Sequence, residues 1–245
     1  MMNKYDIIVV GGGTAGCSCA YTAAKLGLKV LIIEKNTFLG GSITSALVIP
    51  AMKTSDNAIN TEFFDTLYEK LNSIGGAITY CDGNKGWFNP ELTKIVLDEM
   101  LTSVGVDILF ESSVKKINEN LSSYIVTIES DNDYAFSGIL LSSIETRYLV
   151  DATGDAKICE KLNCDFLEKK SQPINLRFIM SGINVKEFSN WIMEFDKNRD
   201  VTTSCTVDGK TYLSTAYTWD KGTIKWALEP LFEAAIKEEV ITEED

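Results

Sequence analysis

Hydrophobic positions along the chain fall into two rhythms. Residues 5–10 and 29–33 are short, β-branched apolar runs, the pattern of strands buried on both faces of a parallel sheet. Between them a helix is expected from about Thr14. Ala20, Ala23 and Ala24 keep its sheet-facing side thin, and Gly27 suits the position just past its end. A second helical rhythm runs over residues 61–74, with Phe64, Leu67, Tyr68 and Leu71 on one face. Asn89-Pro90-Glu91 reads as a helix start: an N-cap, then proline and an acid in the first turn. Leu92, Val96, Met100 and Val104 form the stripe of that helix, and Gly105 ends it.

Residues 107–110 predict a short strand. Residues 114–117, 124–129 and 134–141 alternate or run apolar, and predict a small β-meander attached to the main sheet. Residues 148–151 predict another strand, followed by the turn Ala152-Thr153-Gly154-Asp155. The character then shifts. Ile174, Leu176, Phe178 and Met180 alternate with other residues as in a strand. Further strands are expected at 210–219 and 223–227, and a helix at 230–239. Residues 242–245 resemble a helix N-terminus with no helix after it, as though another element should begin there. The fold class that follows is α/β, a parallel sheet of dinucleotide-binding type with a β-meander. The expected division is residues 1–170 for that domain and 171–245 for the start of an incomplete α+β cap.

The chemistry sits at the first strand end. Gly11, Gly13 and Gly16 fit G-x-G-x-x-G, with a strand before, a helix after and Glu34 at the tip of the next strand. Gly11 allows the tight turn. Gly13, without a Cβ, lets a pyrophosphate approach the backbone, and Gly16 lets the helix pack close to the sheet. The free N–H groups and dipole of the helix face the phosphates. Glu34 is placed to accept both ribose hydroxyls, which argues for a free 2′-hydroxyl rather than NADP. It does not separate NAD from FAD. Gly12, Thr14, Ala15 and Lys35 complete the candidate contacts of this unit. The pair Gly40-Gly41 with Ser42, and the strand-end turn with Thr153, Gly154 and Asp155, offer further places where backbone and polar groups can reach a ligand.

Composition narrows the function classes. A net charge of −12 leaves no basic surplus to neutralise phosphates, so no nucleic-acid partner is expected. No run approaches the length of a membrane span, and Asp6 interrupts the N-terminal apolar stretch that could be mistaken for a signal peptide. The six cysteines, among them Cys17, Cys19, Cys159 and Cys164, form no C-x-x-C; reduced, mostly buried thiols in a cytoplasmic protein are the expectation. Histidine is absent altogether, which removes the usual general base and the usual metal ligand. No metal site and no catalytic side chain is assigned, and a cofactor is left to carry the hard chemistry.

Taken together, these segments resemble the FAD-dependent oxidoreductase family of glutathione-reductase-type fold, in order and over nearly the whole chain. Gly11 to Gly16 with Glu34 is similar to the family's ADP-binding motif. Residues 38–44 are similar to its glycine pair after the second strand. Val114 falls where such proteins contact adenine through backbone groups, and residues 151–155 are similar to its A-T-G-D motif. Residues 172–178 look like the opening of its substrate domain. The resemblance implies FAD as cofactor and hydride or electron transfer from a small-molecule substrate. Family members usually run longer and carry a second glycine-acid motif beside the flavin, so the chain is expected to be the N-terminal portion of a flavoprotein. Two readings stay open: an oxidoreductase, or a dinucleotide-binding module completed by a second copy or a partner chain. A likeness to the flavoprotein that modifies transfer RNA is weighed against by the acidic balance.

Overall fold

The computed structural model describes residues 3–49, 61–78, 87–130, 143–167, 182–195, 202–207, 210–215, 233 and 236–239. The chain divides into two units, Met1–Phe178 and Ile179–Asp245. Unit 1 contains β1 (Asn3–Val10), α1 (Thr14–Lys25), β2 (Val30–Ile33), a single 3-10 turn (Gly41–Ile43) and α2 (Glu62–Ser73). It continues with β3 (Ala77–Ile78), β4 (Trp87–Phe88), α3 (Pro90–Ser103), β5 (Asp107–Leu109) and β6 (Ser112–Glu119). β7 (Tyr124–Ser130), β8 (Ile144–Asp151) and α4 (Lys157–Lys161) complete it.

The main sheet runs β5-β2-β1-β8-β7-β6. β5, β2, β1 and β8 are mutually parallel, and β7 and β6 continue the sheet antiparallel. Both faces of the parallel part are covered, which is why β1 and β2 read as continuous apolar runs. Ile7, Val9, Val30 and Ile32 pack with residues of α1, α2 and α3 in one buried cluster. Ile8, Val10, Leu31 and Ile33 pack with Val114, Val126, Ile128 and Ile144 in another. The meander strands thus lie over one face of the parallel strands and the helices over the other.

The helix ends follow their local chemistry. The Asn89 side chain accepts the N–H groups of Glu91 and Leu92 at 2.9 and 3.2 Å, as an N-cap should. α1 ends at left-handed Gly27 (φ 86°), with Gly27 N–H bonded to Ala24 O and Leu28 N–H to Ala23 O. α3 ends in the same way at Gly105.

The expected helical faces shift by a residue. In α2 the buried residues are Phe63, Leu67 and Leu71, whereas Phe64 and Tyr68 stack on each other at the half-buried flank. Phe63 takes the central place because its ring meets Tyr21 of α1 edge-on, centroids 5.7 Å apart. In α3 the buried stripe is Thr93, Val96, Leu97, Met100 and Leu101, with Leu92 and Val104 at its edges. β8 begins at Ile144 rather than 148. Ile144 and Thr146 point inward while Glu145 and Arg147 face outward, an alternation that the polar residues disguise. Its first residues, 144–146, pair with β7. The predicted third meander strand, 134–141, lies outside the described residues.

Unit 2 contains α5 (Val185–Phe195) and the antiparallel pair β9 (Thr202–Val207) and β10 (Lys210–Thr215). β10 occupies the first part of the strand expected at 210–219. α5 and β9 were not anticipated from the sequence. The expected strands at 174–180 and 223–227, half of the helix expected at 230–239, and residues 242–245 lie outside the described residues; within that helix Glu233, Ile236 and Lys237 are helical. Among the described residues, no helix is long and apolar enough to cross a membrane.

Candidate functional site

At the carboxyl ends of β1, β2 and β8 three loops meet. β1 ends at Val10 and the chain turns at Gly11, whose φ is 99°. A Cβ there would lie 2.6 Å from the Ala152 carbonyl oxygen, so the first glycine is fixed by the turn after β8 as well as by its own conformation. At Gly16 a Cβ would lie 1.9 Å from the Gly11 carbonyl oxygen; this glycine lets α1 rest against the loop that precedes it. Gly12 is buried in the same packing, since a Cβ would run into Leu39 and Glu34. Gly13 is different. The nearest atom to a Cβ there is Gly41 Cα at 4.0 Å, and the position faces open space. Gly13 is also the N-cap of α1, with no side chain occupying the first N–H groups of the helix.

Glu34 lies at the end of β2, 5% exposed. Its Oε2 accepts the Gly12 N–H at 2.6 Å and its Oε1 accepts the Asn36 N–H at 2.8 Å. A carboxylate has about four acceptor positions, so these two bonds brace both loops and leave capacity for a ligand. The second loop leans on the first. Gly40 N–H bonds to Gly12 O at 2.8 Å, and Gly41 comes close enough that a Cβ there would lie 2.9 Å from Gly13 Cα.

Asp151 organises the third loop. Its Oδ1 accepts the Thr153 N–H at 3.0 Å and the Thr153 hydroxyl at 2.7 Å. Its Oδ2 accepts the N–H groups of Ile158 and Cys159, both at 2.8 Å, and so caps α4. Partial burial works against the charged carboxyl, but the hydrogen bonds from Thr153 and Cys159 outweigh it and hold Asp151 below the ordinary carboxylate range.

Between these loops lies a cleft of about 860 Å³, within the range of small-molecule and cofactor sites. The first loop contributes Gly11, Gly13, Thr14 and Ala15, and the end of β2 contributes Glu34 and Lys35. Gly41 and Ser42 come from the second loop, and Val114 from β6. Thr153, Gly154 and Asp155 come from the turn after β8. Of the candidate contacts, Gly12 and Gly16 do not line the cleft; they pack the loops that form it. The sequence reading did not anticipate Asn36, Lys115, Lys157 and Lys161, which also line it. Lys157 and Lys161 stand four apart on α4, a spacing that marks one helical face once that short helix is known. Asp151 likewise carried a signal, a carboxylate two residues before a threonine at a strand end.

The thiols nearby differ in kind. Cys17 is buried and donates to Gly12 O at 3.2 Å. Burial pushes its thiol up to about 12, so it packs as an inert small side chain. Cys159 is half-buried and Cys164 exposed, contrary to the expectation of core thiols.

The family described as FAD dependent oxidoreductase matches residues 6–239. Dihydrolipoyl dehydrogenase of Trypanosoma brucei brucei is 45% identical over 77 residues, 31% of this chain and 16% of that protein. Ferredoxin–NADP reductase of Mycoplasmoides gallisepticum is 38% identical over 86 residues, 32% of this chain and 26% of that protein. The matched segments therefore span a minor part of those relatives' own lengths. Among solved structures, glycine oxidase from Geobacillus kaustophilus aligns with a TM-score of 0.48 at 15% identity, covering 66% of this chain and 59% of that one.

Proposed function

The chain belongs to the FAD-dependent oxidoreductase family, and we propose that its cleft holds the ADP half of FAD for the oxidation of a small-molecule substrate. The observation that carries this reading is the pairing of Gly13 with Glu34. Open space over the Gly13 backbone leads to an uncapped helix start, and a buried carboxylate stands on the neighbouring strand end. The first-turn N–H groups and dipole of α1 would meet the pyrophosphate. Glu34 would accept the ribose hydroxyls with its remaining lone pairs, and the backbone at Val114 would border the adenine. Lys115, Lys157 and Lys161 bring positive charge to the same cleft. FAD held there would supply the chemistry of hydride or electron transfer. The protein's own part is to bind and orient it.

A second reading is a dinucleotide-binding module whose flavin side is completed by another copy or a partner segment. It is supported by the fact that every described residue of the cleft belongs to unit 1. One experiment separates the two. The purified chain is mixed with FAD, desalted and examined by absorption, and ADP binding is titrated in parallel. Retained flavin bands support the first reading. ADP binding without retained flavin supports the second, and binding of neither ligand overturns both.

A further inference from the structure

Two thiols meet at the end of α4, outside the contacts proposed for the cofactor. Past the last turn, Asn163 takes a left-handed conformation, φ 54°. Its N–H bonds to Glu160 O at 3.1 Å, and the Cys164 N–H reaches back to Cys159 O at 3.0 Å. This is the helix-ending motif in which the residue after the left-handed position folds over the residue three from the helix end, a contact usually filled by two apolar side chains. Here both are cysteines. The amide-to-carbonyl bond keeps the two Cα atoms within about 7 Å, close to the span of about 4.4–6.8 Å that disulfides bridge. The Cys164 thiol and the Asp151 carboxylate are both near neighbours of the Cys159 thiol. Cys164 is exposed to reagents and Cys159 is half-buried behind it.

The geometry points to Cys159 and Cys164 as a reversible dithiol–disulfide pair, oxidised by low-molecular-weight disulfides. The Cys164 thiolate attacks one sulfur of the small disulfide, breaks its S–S bond and releases one thiolate, which leaves a mixed disulfide on Cys164. The Cys159 thiol then loses its proton and attacks the Cys164 sulfur, forming the internal bond and expelling the second small thiolate. Two cysteine thiols are oxidised, one small disulfide is reduced to two thiols, and the two cysteine protons pass to the two departing thiolates. Burial and the Asp151 carboxylate hold the Cys159 thiol in its protonated form, which leaves the first attack to Cys164. α4 contributes Lys157, Ile158 and Lys161 to the cleft, so the bond fastens the end of one cleft wall. This inference is independent of the flavin reading.

The test uses the full chain treated with oxidised glutathione, alkylated with N-ethylmaleimide and digested with trypsin. Lys161 lies between the two cysteines, so trypsin separates residues 158–161 from those that follow. The expected result is one joined peptide pair that reduction splits and that is absent from Cys164→Ser. In Cys159→Ser, glutathione should remain attached to Cys164. Recovery of the two wild-type peptides unjoined, each bearing an alkyl group or glutathione, would overturn the proposal, as would a linkage of either one to another cysteine.

Discussion

At the scale of single residues, the glycines of one motif do different work, and substitution should separate them. Gly16 meets backbone within 1.9 Å of a Cβ, so Gly16→Ala should cost about 3 kcal/mol of stability through overpacking, read by urea unfolding. Gly13 has φ −70° and ψ −177°, a conformation open to any L-residue, and space beyond it. Gly13→Val should therefore leave stability within about 1 kcal/mol of the parent. Because its side chain projects into the cleft, ADP affinity should fall about tenfold or more by calorimetry. Equal stability losses in the two variants would refute this division. Glu34 combines both kinds of work. Glu34→Ala strips the acceptor from the buried Gly12 N–H, which should cost about 1–3 kcal/mol. Its ribose role needs a separate readout, the preference for ADP over 2′-deoxy-ADP. The parent should show that preference and the variant should lose it. The spacing of the glycines and the acid was legible in the sequence because each obeys a local rule. That Gly12 N–H and Glu34 are partners was not, because it depends on how two strand ends are juxtaposed in space.

At the scale of elements, α4 and the turn before it hang on Asp151. Asp151→Asn weakens acceptance from Thr153, Ile158 and Cys159 together and should cost about 1–2 kcal/mol at neutral pH. The folded carboxyl lies below its ordinary value of 3.8, so its contribution is fully present above that value and is lost as pH falls through the lowered one. The gap in stability between parent and variant should thus persist through mildly acidic pH and close only in stronger acid, as followed by unfolding curves across a pH series. A gap that closed near neutrality would assign the effect to another group. Elements with strong local punctuation were legible: the Asn89 cap, the glycine ends of α1 and α3, and the apolar runs of β1 and β2. α4 was not, because five residues carry no periodic signal and its start is set by the side chain of Asp151, six residues upstream. The early start of β8 was hidden by Glu145 and Arg147 on its outward face. The exact faces of α2 and α3 were hidden for a related reason: which of two adjacent apolar residues is central depends on the partner helix, here through the contact between Tyr21 and Phe63.

At the scale of the whole molecule, the charge of −12 opposes any anionic ligand at long range. Binding of a dinucleotide must then come from local features that survive at short distance. In unit 1 these are the start of α1, the backbone of Gly13 and Gly41, and the lysines of the cleft. All of them address the pyrophosphate or the adenosine, and none of the contacts proposed here reads an isoalloxazine ring. ADP should therefore act as a competent ligand by itself, while FMN, which has one phosphate and no adenosine, should not. A ligand that binds only the folded chain stabilises it by about 2.7 kcal/mol at a hundred times its Kd, which for a chain of this size is a rise of about 5–10 °C in melting temperature. Thermal unfolding with ADP, FAD and FMN at matched concentrations should show the rise for ADP and FAD and none for FMN. Raising the ionic strength should increase the apparent ADP affinity if screening of the net charge dominates, and decrease it if the cleft lysines dominate. The cleft lysines would stand nearest the phosphates of a bound ligand, and a surface charge of this kind is screened over about 8 Å at physiological salt, so the expected outcome is a decrease. A rise for FMN equal to that for ADP would show that the flavin side rather than the ADP side anchors the cofactor, and would move the site away from Gly13 and Glu34.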